Sequence, residues 1–130
     1  MPERPVSPHV TVYKWTYTMT LSILHRVSGL ALCIALIALV SWLLAAAAGP
    51  DAYAAAMLVL ASLPVKILIA IALLALSFHF ANGLRHLAWD AGWGFERAQA
   101  RRSAAVVVAV ALLATVAAVL LMFWTGAGRQ

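Results

Sequence analysis

Two short stretches carry nearly all the chemistry in this sequence. The first is Ser77-Phe78-His79-Phe80-Ala81-Asn82-Gly83-Leu84-Arg85-His86-Leu87-Ala88-Trp89-Asp90, which closes a long apolar run. On a helix, residues seven apart return to nearly the same face, so His79 and His86 share a stripe with Gly83 between them. Their imidazoles start roughly 10 Å apart along the axis. His79 lies inside the apolar run and His86 near its charged end. An ionisable residue inside a membrane span is costly and tends to face a protein interior, where it is functional. A glycine on the same face removes bulk where something flat needs to approach. The pattern suggests a histidine that ligates a buried cofactor.

The second stretch is Ser22-Ile23-Leu24-His25-Arg26-Val27-Ser28-Gly29. Ser22, His25, Arg26 and Gly29 fall at i, i+3, i+4 and i+7 and form one expected polar stripe. Simple snorkelling would explain the His-Arg pair, but it does not require the serine and glycine. Ser22 and Arg26, one turn apart beside Ile23 and Trp15, offer a donor and a cation next to an apolar entrance, as a quinone requires. A haem requires an axial ligand and partners for two propionates. His79 is the only histidine well within a span and is the candidate for iron, while Arg26, His25, Arg85 or His86 could meet the propionates. Were the iron bis-histidine coordinated, the other ligand would have to come from a partner subunit.

The elements that must hold these residues are helices in a membrane. Of the 130 residues, 65% are hydrophobic and 10% charged, against about 45–50% and 25% in soluble domains. Three runs, near 22–48, 64–88 and 103–125, reach the ~20 residues a helix needs to cross hydrocarbon. They are apolar all round, which excludes a barrel. The fold class expected is all-α integral membrane, one domain over 1–130. Residues 1–21 read as a proline-punctuated interfacial arm containing His9, Trp15 and Tyr17. Residues 51–63 read as a short helix outside or at the membrane, with Ser62 as N-cap to the second span. Cys33, the single cysteine, reads as a small core residue, and Lys66 as snorkelling.

Span three has no ionisable side chain, and its small residues Ala104, Ala105, Ala109, Ala114, Ala117 and Ala118 suggest packing. The net charge of +5 comes from basic residues that flank spans, which argues for membrane orientation and against nucleic acid. Arg4, Lys14, Arg26, Arg85, Arg97, Arg101 and Arg102 place the N-terminus and second loop in the cytoplasm and the C-terminus outside. The N-terminal residues resemble neither a signal nor a transit peptide, so a bacterial inner membrane is expected. The start of span one and the end of span two then lie at one level, with Ser22, His25, Arg26, Arg85 and His86 near the interface and His79 about two turns deeper.

The octapeptide from Ser22 to Gly29, followed by His79-x-x-x-Gly83-x-Arg85-His86-x-x-x-Asp90, resembles the cytochrome b membrane-anchor subunit of succinate dehydrogenase, respiratory complex II. The arm Arg4-Pro5-x-Ser7-Pro8-His9 is similar to the same family's N-terminus, and the C-terminal third shares only hydropathy and length. The resemblance implies three transmembrane helices forming half of a two-subunit haem-binding bundle. It also implies a heterotetramer with a flavoprotein, an iron–sulfur protein and a second small anchor; a trimer of heterotetramers is the higher form considered. By motif position His79 would be the axial ligand of haem b and the second anchor would supply the other histidine. Ser22 and Arg26 would fall in the ubiquinone site with Ile23 and Trp15 lining it, and His25, Arg26 and His86 would lie near the propionates. Flavin and iron–sulfur clusters would belong to partners only. The chain alone is not expected to be a complete enzyme, having no dinucleotide fingerprint and no cysteine cluster. A cofactor-free anchor or assembly subunit is the main competing reading, with His79 as a helix–helix hydrogen-bonding residue. A transporter subunit is disfavoured by the absence of internal repeats, broken helices and acidic relays.

Overall fold

The computed structural model describes residues 16–127 in backbone and side chains up to residue 124. Four helices follow one another: α1 (Tyr17–Ala48), α2 (Pro50–Ala61), α3 (Leu63–Asp90) and α4 (Arg97–Ala127). Among the described residues no strand occurs. Helices α1, α3 and α4 are each long and apolar enough to span a membrane. This is a multi-pass helical membrane protein. Trp15, His9, Arg4 and Lys14 lie outside the described residues.

The breaks between helices follow local chemistry. Gly49 stops α1 at φ 120°, a conformation open to glycine, and Pro50 opens α2 where its missing N–H costs little. Ser62 is the N-cap residue of α3, as expected, but its side chain makes no capping bond. Its hydroxyl turns back and donates to the Val59 carbonyl at 2.7 Å, which also accepts the Ser62 backbone N–H at 3.1 Å, so the serine caps the end of α2 instead. After α3, Gly92 at φ 88° and Gly94 at φ 83° reverse the chain, and the Trp89 indole N–H donates to the Gly94 carbonyl at 3.2 Å.

α3 is the middle helix. It packs against α1 on one side and α4 on the other, while α1 scarcely meets α4 and α2 lies mainly against α1. The start of α1 reaches the start of α4 through the Tyr17 hydroxyl, which donates to the Arg101 carbonyl at 2.7 Å. The beginnings of α1 and α4 and the end of α3 therefore share one level. α1 begins at Tyr17, so the expected arm is already helical over its last residues; no proline lies between Pro8 and Pro50 to interrupt it.

The interior is unlike that of a soluble domain. Among the described residues the buried ones are Leu21, Ser28, Asn82, Arg85, Ala104, Val107 and Ala111, while leucines, isoleucines and valines cover the outside. A surface so apolar fits lipid or partner helices and not water. Cys33 is exposed on the outer side of α1 and is not the core residue expected, since in a membrane an apolar thiol faces lipid at no cost. In α4 Ala104 and Ala111 meet the bundle with Val107, but Ala105, Ala109, Ala114 and Ala117 face outward. One helix face, not alanine content, decides which small residues pack.

Candidate functional site

Each side of α3 carries its own polar line. His79, Gly83 and His86, at i, i+4 and i+7, face α1. Asn82, Arg85 and Trp89, at i, i+3 and i+7, lie toward α4.

On the α1 side three imidazoles gather. The ring of His25 stacks on that of His79 with centroids 4.0 Å apart and planes 11° apart. His86 stands 5.2 Å from His25, tilted by 43°, and meets Trp89 edge-on at 5.3 Å. His25 thus bridges two histidines that begin about two turns apart on α3. The expected gathering of His25 and His86 near one level is present.

His79 is held by a small network. Its Nδ1 lies 3.1 Å from the His25 carbonyl oxygen and 3.1 Å from Ser28 Oγ. A carbonyl only accepts, so Nδ1 must carry the proton and donate. The Ser28 hydroxyl spends its own proton on the same carbonyl at 2.8 Å. With Nδ1 protonated, the neutral ring leaves its lone pair on Nε2, which has no hydrogen-bond partner among the described residues. This is the arrangement of a metal-ligating histidine, whose other nitrogen donates to a backbone carbonyl and fixes the tautomer. Space is made for the ring by Gly29: a Cβ there would stand 3.1 Å from His79 Cε1, closer than ordinary van der Waals contact. Gly83 is less constrained, with His25 Cε1 at 4.0 Å from its would-be Cβ. The buried Nδ1 of His25 has no partner, an orphan that a ligand or partner subunit could satisfy. Among the described residues no cluster of three or more metal-ligating side chains exists, so a metal here would rest on one protein ligand from this chain.

The expected polar stripe of α1 divides in two. His25, Ser28 and Gly29 turn inward to α3. Arg26 and Ile23 are exposed and Ser22 is half-buried, and neither Ser22 nor Arg26 bonds within the described residues. These three flank the histidine cluster on the side this chain leaves open.

Arg85 does not join the cluster. It turns to α4, where Nε donates to Ser103 Oγ at 3.0 Å, Nη2 to the Ala100 carbonyl at 3.0 Å and Nη1 to Asn82 Oδ1 at 3.4 Å. Its position six residues after His79 places it on a different face, so a role beside the propionates is not supported by its contacts. Asp90 ends α3 exposed and forms no ion pair with His86 among the described residues.

Ser28 was given no role by sequence reasoning, and it contacts His79 directly. Its signal was its position three residues after His25, which puts both on one face of α1. The expected stripe passed over it because Arg26 drew the face one position to the side.

A helical membrane subunit with a tautomer-fixed histidine in its interior is the class that fold and site define. Comparison with known proteins narrows this. Residues 1–118 match the family described as succinate dehydrogenase/fumarate reductase transmembrane subunit. The succinate dehydrogenase cytochrome b556 subunit of Paracoccus denitrificans is 36% identical over 120 residues, covering 92% of each chain. That of Rickettsia prowazekii is 44% identical over 97 residues, 72% of each. The mitochondrial succinate dehydrogenase cytochrome b560 subunit of Mus musculus is 38% identical over 119 residues, covering 86% of this chain and 68% of the mouse one. The chain belongs to the succinate dehydrogenase/fumarate reductase transmembrane subunit family. The resemblance carried by the octapeptide and the histidine-glycine-arginine pattern is borne out.

Proposed function

We propose that this chain is a membrane-anchoring cytochrome b subunit of succinate:ubiquinone oxidoreductase. The observation that carries the reading is the pair of contacts that hold the His79 Nδ1 proton on the His25 carbonyl and Ser28 Oγ, leaving Nε2 as a free metal ligand. His79 would hold the iron of a haem b through Nε2, and a histidine of a second small anchor subunit would be the other ligand. His25, with its unpartnered buried nitrogen, and His86 donate to the propionates together with Arg26. When bound, the haem supplies a one-electron carrier whose potential depends on its ligands and their hydrogen bonds. Ser22 and Arg26 hold the ubiquinone carbonyl at the open flank of α1, with Ile23 and Trp15 beside its entrance. The chain passes electrons from the iron–sulfur subunit to quinone, and the flavin and clusters reside in the flavoprotein and iron–sulfur partners. The N-terminus lies in the cytoplasm of a bacterial inner membrane, and residues 1–130 form one anchor domain.

A cofactor-free anchor is the second reading, favoured by one fact: the His79 contacts to His25 and Ser28 also fasten α3 to α1. A reduced-minus-oxidised visible spectrum of the purified complex separates them. Loss or marked shift of the b-type band in His79→Ala is expected. An unchanged low-spin band would move the ligand elsewhere and leave His79 as a helix fastener.

A further inference from the structure

The polar centre on the α4 side of α3 is absent from the function proposed above. Arg85 is only 7% exposed and Asn82 is 0% exposed. A guanidinium in an apolar span is costly unless an anion meets it. The three acceptors of Arg85, Ser103 Oγ, the Ala100 carbonyl and Asn82 Oδ1, are all neutral. Its Cζ lies 4.1 Å from the Trp89 ring centroid, a cation–π contact that eases but does not neutralise the charge. Asp90 and Glu96 are exposed, and neither forms an ion pair with Arg85 among the described residues.

Arg85 is the charged residue in the lining of a groove of about 510 Å³ that opens sideways between α3 and α4. Leu84 and Ala88 form one wall, Val106 and Val110 the other, and Trp93 stands at the mouth with 74% exposure. Exposed tryptophans suit the headgroup layer. Arg102 lies one turn before Val106 and so continues the same stripe of α4 beyond the groove, exposed to the outside. Arg97 and Arg101 are exposed nearby at the start of α4, where the helix dipole also favours an anion. Cations are thus gathered at one end of an apolar trough, beside aromatic rings.

We infer that this groove binds an anionic phospholipid. The phosphate lies at the cationic mouth between Arg85 and Arg102, and one acyl chain runs along Leu84, Val106 and Val110. Basic pockets between transmembrane helices recognise such headgroups. Cations at one end and apolar walls along the rest match an amphiphile with an anionic head and a hydrocarbon tail.

The test uses the whole complex, stripped of lipid in neutral detergent. Phosphatidylglycerol, phosphatidylcholine of the same acyl chains, and inorganic phosphate are added separately, and binding is read by native mass spectrometry and thermal midpoint. Phosphatidylglycerol is expected to bind and stabilise the complex where the other two do not. Arg102→Gln is expected to weaken that binding about tenfold, the loss of one charge-assisted contact, and Val106→Trp to abolish it by filling the trough. If Val106→Trp fails to assemble, Arg102→Gln decides alone. An equal response to phosphatidylcholine would overturn headgroup recognition, and reproduction by phosphate alone would overturn the lipid. Unchanged binding in Arg102→Gln would overturn the site. Photocrosslinking from a label on Val110→Cys to a partner protein instead of lipid would assign the groove to an interface and overturn the inference.

Discussion

Gly29 of α1 faces the edge of His79 of α3 so closely that a methyl group between them would stand 3.1 Å from Cε1. At Gly83, on the other side of the cluster, the corresponding distance to His25 is 4.0 Å. The two glycines flank one stack of rings, yet only one of them is required by space.

Gly29→Ala is therefore expected to displace the His79 ring from its Nδ1 contacts, at a cost of about 1–3 kcal/mol for the forced repacking. Gly83→Ala is expected to be neutral or slightly stabilising, because alanine is the better helix former by up to ~1 kcal/mol. Haem content per purified complex and the thermal midpoint of each variant check this. Equal loss in both, or wild-type content in Gly29→Ala, would contradict the argument from space.

Ser28→Ala removes one of the two acceptors of the His79 N–H while the His25 carbonyl stays. The b-type band is expected to remain, with stability lowered by about 1 kcal/mol, the net worth of one hydrogen bond. If His79 holds the iron, redox titration of the complex should show a displaced midpoint potential, since hydrogen bonds to a ligating histidine tune the metal. An unmoved potential would reduce Ser28 to a helix fastener.

The spans, the central histidine and its company were legible in the sequence because hydropathy and seven-residue spacing are one-dimensional signals. His79, His25 and His86 do converge. The pairing of faces was not legible. Arg85 stands beside His86 in the chain, yet one residue is 100° on a helix, enough to send its guanidinium to Ser103 and Ala100 on α4. Nothing in α4 announced this, since the acceptors are a serine and a backbone carbonyl. Ser28 was overlooked for the converse reason: the charge of Arg26 suggested a stripe through the wrong neighbour. Ser62 carries the composition of an N-cap, but the local competition for its hydroxyl was won by the carbonyl of Val59.

Arg85 fastens α4 through a forked set of donors, which a lysine cannot reproduce. Arg85→Met should lower stability by about 1.5–3 kcal/mol, the range for a hydrogen bond made by a charged group, and Arg85→Lys should recover only part. Because α4 meets the rest of the chain mainly through α3, the damage should appear as faster proteolysis of the connection at residues 91–96 in complex reconstituted into vesicles. Full recovery by lysine would mean that charge alone matters and the fork does not.

Ser22 and Arg26 lie one turn apart on the open flank of α1, and both lack partners among the described residues. If they hold a quinone carbonyl, their removal should affect the last electron transfer and nothing before it. Arg26→Ala should lower quinone reduction roughly tenfold or more, the loss of a charge-assisted hydrogen bond, and Ser22→Ala somewhat less. Succinate oxidation by an artificial acceptor that takes electrons upstream should continue at the wild-type rate, because that acceptor bypasses both the quinone and any haem contact of Arg26. The paired assay separates a binding defect from a failure of assembly, which would lower both rates together. Normal quinone reduction in both variants would remove this face of α1 from the quinone site.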